Sequence, residues 1–476
     1  AGDVVGGEQR VGASPLESMG RVPRNGAAVR LLLVAPILAP CFAAEHRDVE
    51  TDDAAPRSSL RLAFGSCNRE NKDQGYWRDI IDRRPDMWVW GGDIIYGDRM
   101  RPLRPPPLDD SAGDAELVLD HTYSCIGGSA LCFSAGSPGH LAAKYKRQKQ
   151  APEYQELLRS VPQVLGIWDD HDMGLNDGDA RYRWRNESKQ LLLDFLDEPP
   201  ESPRRSQAGV WQSYLAPGPR GRRIAVHLLD VRHNKDPYGT VGGDFLGEEQ
   251  WQWLRSSLEA ARHEAAVNIV VSGLQVLRPW PQAGEVWDRF PAARRRLLET
   301  LSSSGARGLV LLSGDVHMAQ LSAVRCGETV IHELSSSGLT HSIRDHGRIA
   351  VALVRLLLWV FPQTQLLAAT HFGRNFGELD ISVGADGEPT ITGRIFSLHP
   401  GPTQGKVVIE RRFDDLSPAG GPGGAECVPI HGVEAPAAMV VRMALVLGAL
   451  AACAVLGCGA LRVCCVGRRA PKAHEE

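Results

Sequence analysis

Short apolar runs alternate with longer amphipathic stretches between about residues 58 and 412 of this 476-residue chain. Short runs rich in β-branched residues are typical of buried strands, whereas apolar residues spaced three and four apart are typical of helices. Strands are predicted at 60–64, 87–91, 163–168, 223–230, 267–272, 308–313 and 329–333. Helices are predicted at 75–84, 141–160, 184–197, 248–264 and 290–304. The alternation predicts an α/β protein, in which "ELDISV" and "TITGRI" form a late hairpin.

An apolar stretch near the start of the chain does not fit this alternation. From Arg30, one basic residue precedes "LLLVAPILAP" and several small residues. This order is typical of a secretory signal peptide, here cut near Ala43 or Ala44. We therefore expect residues 1–44 to be an N-terminal extension with a signal peptide. An ordinary buried strand or helix is the alternative.

A second apolar stretch near the end, "MALVLGALAACAVLGCGAL" at 443–461, is as long as a helix that crosses a bilayer. It predicts a transmembrane helix over 439–463, between a flexible linker at 413–438 and a short tail at 464–476. The basic residues after the span place the tail in the cytosol and the main domain, 58–412, outside or in a lumen. The expected localisation is thus a single-pass membrane protein. A buried globular helix is the alternative.

The apolar run "IAVALVRLLLWVF" at 349–361 is too short to cross a membrane and carries Arg355 in its middle. It predicts a core helix. An interfacial helix that lies against a bilayer is the alternative reading.

The net charge of the chain bears on which partners it could bind. Lys plus Arg number 53 against 57 Asp plus Glu, a formal charge of -4, so we expect no nucleic-acid partner.

Five of the ten cysteines fall in the predicted outer part: Cys67, Cys125, Cys132, Cys326 and Cys427. Their spacing suggests the pairs Cys125–Cys132 and Cys326–Cys427, which leaves Cys67 as a free thiolate. Nothing in the pattern specifies an oligomeric state.

Four predicted strand ends carry side chains that can bind metals. The segments are "FGSCN" (64–68), "WGGDIIYGD" (90–98), "WDDHDMGLND" (168–177) and "SGDVH" (313–317). Loops at the carboxyl ends of strands in an open α/β sheet converge on one crevice. Carboxylates gathered there repel one another unless cations neutralise them. The recurrence therefore predicts a metal centre.

The kinds of side chain narrow the metals and the chemistry. Phenolate and thiolate, from Tyr96 and Cys67, suit a ferric ion, whereas carboxylate and amide oxygens suit calcium or magnesium. Such a cluster can polarise a phosphoryl group and hold a hydroxide, which leaves His171 to protonate the departing alkoxide. A packing tyrosine and a surface histidine are the alternative readings of Tyr96 and His171.

These motifs, together with "LLDVRHNKDP", "LSGDVHMAQL" and "ELSSSGLTHS", resemble the PhoD-like (alkaline phosphatase D) family of metallophosphatases over about residues 58–400. The resemblance implies a four-layer α/β/β/α sandwich with two central mixed sheets. It also implies a ferric ion (Fe³⁺) plus calcium (Ca²⁺) at the strand ends, and hydrolysis of phosphate mono- and diesters. Where more distant relatives supply another histidine, this chain offers Gln275 in "SGLQVL", which leaves the number of metal ions open.

The resemblance also assigns roles to single residues. It implies that His171 is the catalytic residue and that Asp93 is a bridging carboxylate. Tyr96 matches the phenolate of the "GDxxY" motif in purple acid phosphatases. The metal ligands expected from it are Cys67, Asp93, Tyr96, Asp170, Asp315 and His317. The expected substrate contacts are Asn68, Asn176 and Arg232.

The resulting prediction is a membrane-anchored, metal-dependent phosphatase that uses a metal-bound hydroxide on small-molecule phosphate esters. It would release phosphate from extracellular or lumenal organic phosphates. One alternative is a phosphodiesterase or phospholipase acting on lipid headgroups. Another is a non-catalytic surface recognition protein with the same fold.

Overall fold

The computed structural model describes most of the chain between residues 58 and 413 and several shorter pieces. The described residues are 47–48, 58–101, 123–125, 132–279, 284–361, 365–413, 415–416, 426–431 and 437–448. The expected signal peptide at 1–44 and residues 449–476 lie outside them.

The strands among the described residues form three sheets. In spatial order, the eight-stranded sheet contains β1 (Arg47–Asp48), β8 (Gln212–Pro217), β9 (Arg223–Leu228), β10 (Ala265–Ser272), β11 (Leu309–Ser313), β13 (Thr329–Ser336), β12 (Ala319–Cys326) and β17 (Cys427–Pro429). The six-stranded sheet contains β16 (Val407–Arg412), β15 (Pro389–Ser397), β14 (Asn375–Val383), β2 (Ser59–Gly65), β3 (Met87–Gly91) and β7 (Gln163–Ile167). A small sheet contains β4 (Arg99–Arg101), β6 (Cys132–Ser134) and β5 (Tyr123–Cys125).

Both large sheets are mixed. Strands β9, β10, β11 and β13 run parallel in one sheet, and β2, β3 and β7 run parallel in the other. The predicted late hairpin is confirmed, because β14 and β15 pair in antiparallel register. The carboxyl ends of two parallel groups are therefore available to build one site.

Helices pack on the outer faces of these sheets. They are α1 (Trp77–Ile81), α2 (Pro138–Gln150), α3 (Pro152–Ser160), α4 (Asp170–Met173), α5 (Arg185–Phe195), α6 (Pro203–Ser206), α7 (Gly247–Glu264), α8 (Pro291–Ser303) and α9 (Arg348–Val360). Short 3₁₀ turns lie at Pro219–Gly221, Trp287–Arg289 and Ile343–His346, and residues 437–448 are also helical. The single helix predicted at 141–160 is broken, because Pro152 holds Ala151 in an extended conformation and starts α3.

The core follows from the alternation within central strands such as β3, "MWVWG". Met87 and Val89 point between the two large sheets, whereas Trp88 and Trp90 point to the helical side. Trp77 of α1 meets these two indoles edge-on, with ring centroids 5.0 and 5.3 Å away. A third cluster joins the eight-stranded sheet to α7 and α8. The layers thus run helix, sheet, sheet, helix, and β3 is held rigidly up to Gly91.

The prediction of a single-pass membrane protein is contradicted. Within the parts of the chain that the structure describes, no helix combines the length and the apolar character that a bilayer crossing requires. The described residues 437–448 are helical and contain the start of the predicted span. Residues 449–463 of that span lie outside the described residues.

The apolar helix predicted at 349–361 forms as α9, but it is not a core helix. Ile349, Leu353 and Trp359 are 77%, 57% and 46% exposed. Its sequence is apolar except for Arg348 and Arg355, which is why the pattern predicted a buried helix.

The cysteine pairing agrees with the spacing. Cys326 and Cys427 form a disulfide across the antiparallel pair β12 and β17. Cys132 is also disulfide-bonded, and the strand register places Cys125 opposite it. Among the described residues Cys67 is the free cysteine, and it is buried.

Candidate metal centre and active site

The loops that follow β2, β3, β7, β11 and β13 converge at one edge of the two large sheets. Cys67 comes two residues after β2, and Asp93 comes two residues after β3. Asp315 likewise comes two residues after β11. Because these strands run in parallel within their sheets, equal spacing after each strand brings the side chains to the same crevice.

Four residues in these loops have left-handed backbone conformations that non-glycine residues rarely adopt. The φ angles are 59° for Cys67, 51° for Asp93, 68° for Asp315 and 53° for His317. Each such residue costs on the order of 1 to 3 kcal/mol, and such conformations cluster at functional sites. The turns end the strands abruptly and aim the four side chains into the crevice.

The first group of metal-competent atoms combines sulfur, oxygen and nitrogen. Ligand atoms of Cys67, Asp93 and His317 lie within 4.8 Å of one another. The Cys67 Sγ is 3.4 Å from Asp93 Oδ2. Tyr96 Oη is 3.1 Å from the same carboxylate oxygen and 3.2 Å from His317 Nε2. This group contains the thiolate and phenolate donors that suit a ferric ion.

The second group contains only carboxylates. Ligand atoms of Asp169, Asp170 and Asp315 lie within 4.8 Å of one another. Asp93 and Asp170 also fall within 4.8 Å of each other, together with His171, so Asp93 adjoins both groups. An all-oxygen donor set of this kind suits calcium or magnesium. The geometry is that of two adjoining cation sites.

The electrostatics of the two groups favour bound cations. Burial raises the pKa of Asp93 and of Asp315 well above the usual range. His171 opposes this rise at Asp93, and the neighbouring carboxylates add to it at both residues. Burial also lowers the pKa of His317 to about 3, which keeps its imidazole neutral. Among the described residues, Asp93 Oδ1 and Asp169 Oδ2 are buried and have no hydrogen-bond partner. Buried, unpaired carboxylate oxygens beside a neutral imidazole fit metal ions.

His171 stands beside the metal-competent residues in a pair with Asp98. Its Nδ1 lies 2.7 Å from Asp98 Oδ1, which leaves Nε2 as the nitrogen available to a ligand. The His171 ring lies against the Tyr96 ring, with centroids 4.0 Å apart and the two planes tilted by 31°. Burial disfavours the imidazolium, but Asp98, Asp170 and Asp93 outweigh it and raise the pKa of His171 well above its usual range. His171 can therefore hold a proton at the site.

Asp98 orients His171, although no role for Asp98 was predicted from the sequence. We expect Asp98→Asn to slow alkyl phosphate hydrolysis roughly 10-fold to 10²-fold, because the acid loses its orientation and its counter-charge. The Asp98 carboxylate raises the pKa of His171, so its loss lowers that pKa and moves the alkaline limb of the pH–rate profile to lower pH. Rates with a methyl phosphate across pH test this. An unmoved alkaline limb contradicts the assignment.

The three predicted substrate contacts lie in different surroundings. The buried Asn176 Nδ2 has no hydrogen-bond partner among the described residues, and its backbone N–H donates to Asp98 Oδ2. Arg232 is fully buried, hydrogen-bonded to Asp169 and 2.6 Å from Glu285. Asn68 uses its whole amide within the core, through Ile94, Gln148 and Tyr76. Asn176 Nδ2 and the Arg232 guanidinium nitrogens Nη1 and Nη2 are thus buried donors without a hydrogen bond, although Nη1 and Nη2 face Glu285 and Asp170 in ion pairs.

Gln275 also makes contacts within the protein, where its Nε2 donates to Gln320 and Ser335. Two other residues at the site were not predicted. Glu285 forms ion pairs with Arg232 and Lys235, and His341 lies 2.9 Å from Tyr96. His341 belongs to the quoted motif "ELSSSGLTHS", but only the tertiary structure brings it to Tyr96. Glu285 belongs to no motif.

Gly92 allows β3 to approach the loop that carries the acidic residues. Its φ is +94°, and an added Cβ would lie 2.6 Å from Asp169 Cβ. We expect Gly92→Ala to lower the free energy of unfolding by roughly 1 to 3 kcal/mol and to weaken metal binding. Gly139→Ala is the matched control, since a Cβ there meets nothing within 4 Å. Chemical denaturation of both variants tests this, and equal stabilities contradict it.

Comparison with known proteins assigns the chain to a class. The fold and the donor groups are those of a metal-dependent phosphoric ester hydrolase. The family model of the PhoD-like phosphatases matches residues 62–382. The chain therefore belongs to the PhoD-like phosphatase family, as the motifs predicted.

Solved structures resemble this chain in fold. One described as the structure of PhoD matches with a TM-score of 0.52 and 16% identity, over 77% of this chain and 74% of that chain. A purple acid phosphatase, PPD1 from yellow lupin (Lupinus luteus) seeds, matches with a TM-score of 0.42 and 12% identity, over 75% and 53% of the respective chains. None of the curated proteins compared matches the chain significantly.

Proposed function

We propose that this protein hydrolyses phosphate mono- and diesters at the strand-end crevice, with a ferric ion and calcium as its metals. The observation that carries the proposal is the pair of adjoining donor groups with the His171–Asp98 pair beside them. Cys67, Asp93, Tyr96 and His317 would hold the ferric ion. Asp169, Asp170 and Asp315 would hold calcium. When bound, such ions supply positive charge that polarises the phosphoryl group and lowers the pKa of water.

The chain's own residues orient the ester and move a proton. The unpaired amide of Asn176 lies on the loop that follows His171, and it can donate a hydrogen bond to a phosphoryl oxygen. His171 keeps a proton on Nε2 while Nδ1 is held by Asp98. It would give that proton to the alkoxide as the ester bond breaks, which lowers the barrier most for poor leaving groups.

Arg232 would support the metal centre through its positive charge. Its guanidinium lies beside Asp169 and Asp170 and holds both carboxylates in place. Burial disfavours ionised Asp170, but His171 and Arg232 outweigh it and lower its pKa to about 2. Arg232 thereby keeps Asp170 ionised as an oxygen donor, while Glu285 occupies Nη1 of the guanidinium and Nη2 makes no hydrogen bond.

Initial rates on a nitrophenyl monoester and a bis-nitrophenyl diester test the proposed function. The purified protein, the chelator-treated protein and the Asp93→Asn variant are compared. The expected result is turnover of at least one ester by the untreated protein, and loss of that turnover in the other two samples. No turnover by protein with its metals fully loaded contradicts the proposal and favours a binding role.

A further inference from the structure

His341, five residues after β13, faces Tyr96 across the first donor group. Its Nε2 lies 2.9 Å from Tyr96 Oη, the shortest contact of that hydroxyl among the described residues. The His341 and His317 rings meet edge-on, with centroids 4.4 Å apart. His341 is not among the metal ligands proposed above.

Thr340 contacts the other ring nitrogen of His341. Thr340 Oγ1 accepts the Arg69 N–H at 2.8 Å and has one hydroxyl proton of its own to donate. The Cys67 carbonyl oxygen at 3.3 Å and His341 Nδ1 at 3.2 Å both lie within reach of that proton. When Thr340 donates to Nδ1, the ring proton of His341 lies on Nε2 and points at Tyr96.

A tyrosine that binds a ferric ion does so as a phenolate, which has lost its proton and can only accept hydrogen bonds. Asp93 Oδ2, 3.1 Å from Tyr96 Oη, is also an acceptor and cannot support the phenolate. A proton on His341 Nε2, 2.9 Å from Tyr96 Oη, can be donated to the phenolate oxygen, which stabilises its charge and fixes its direction.

We propose that His341 is a positioning residue for the metal centre, because its Nε2 donates a hydrogen bond to the Tyr96 phenolate and holds that oxygen toward the ion. The inference rests on the proposed function, since it concerns the same site. It assigns the motif "ELSSSGLTHS" a part in metal binding. The Arg69 guanidinium, 4.3 Å from the centre of the Tyr96 ring, holds that ring in place.

The test compares His341→Ala, His341→Gln and, as a matched control, the exposed His346→Ala, each with and without Tyr96→Phe. The two readouts are the affinity for ferric ion and the visible absorption from phenolate-to-iron charge transfer. We expect His341→Ala to weaken iron binding roughly 10-fold to 10²-fold and to shift the band, the usual cost of losing an outer partner. His341→Gln keeps an N–H donor in its amide and should recover most of the affinity.

The background carrying Tyr96→Phe separates positioning from other roles. There, His341→Ala should cause no further loss, because the hydroxyl that it orients is absent. An equal loss in both backgrounds overturns the inference, and so does an unchanged band and affinity in His341→Ala. If the wild-type protein binds no iron, the inference and the proposed iron site fail together. If it binds iron and hydrolyses esters while His341→Ala behaves identically, the inference alone fails.

Discussion

The His171→Ala variant is expected to lose 10²-fold to 10⁴-fold of its rate with alkyl phosphates, the usual contribution of general acid catalysis. The loss with nitrophenyl phosphate should be far smaller, because that leaving group needs little protonation. The structure supports this contrast, since Asp98 holds Nδ1 at 2.7 Å and leaves Nε2 for the substrate. Steady-state rates on both substrates provide the measurement.

Metal content distinguishes a catalytic histidine from a ligand. A ring nitrogen of His171 lies within 4.8 Å of Asp93 and Asp170, so a ligand role is geometrically open. We expect bound metal to stay near normal in His171→Ala, and the exposed His346→Ala to match the wild type. Equal losses on both substrates together with depleted metal would reassign His171 to the cluster.

Replacing Cys67 is the second change with a large expected effect. Burial raises the pKa of its thiol well above the usual range, and the charges of Asp93 and Asp315 raise it further. The thiolate is therefore stable there only beside a cation. Losing a residue that hydrogen-bonds a metal ligand costs up to about 10²-fold in activity. Cys67 would be a ligand itself, so we expect Cys67→Ala to lose at least about 10²-fold of its activity.

The spectrum shows whether sulfur binds the metal. Thiolate-to-iron charge transfer should disappear in Cys67→Ala, and bound iron should fall. Cys67→Ser is the matched comparison, because it keeps the volume of the side chain and replaces sulfur by oxygen. Full activity with unchanged iron content in Cys67→Ala would remove Cys67 from the metal centre.

The sequence predicts the strands that carry the site because their alternation is strong. In β3, every second residue is apolar toward one sheet face and tryptophan toward the other, so the predicted and observed bounds coincide at 87–91. Strand β12, "AQLSAVRC", was missed because Gln320 and Ser322 interrupt its apolar pattern. Gln320 is buried all the same, and its amide pairs with Gln275 and Thr370. Such compensation comes from distant residues that a local pattern cannot show.

In the candidate site, too, the sequence predicted some residues correctly and missed or misplaced others. Residues placed directly after a strand, such as Asp93 and Asp315, were found because the strand end fixes where they lie. Asn68 was expected at the substrate, yet its side chain turns into the core toward Gln148, one residue after the buried Cys67. Glu285 reaches Arg232 from the loop after "SGLQVL", and it does not itself belong to a quoted motif. Position along the chain predicts the crevice, whereas side-chain direction and loop contacts require the folded structure.

The central claim is that the strand-end donor groups bind metals and that these metals are needed for hydrolysis. Stepwise reloading of the metal-depleted protein tests it most directly, with bound iron and calcium, visible absorption and nitrophenyl phosphate hydrolysis measured on each sample. The account predicts that activity rises in proportion to bound metal in the wild type and does not rise in Asp93→Asn. Undiminished hydrolysis by the metal-free protein, or metal binding that is unaffected in Asp93→Asn, would contradict it.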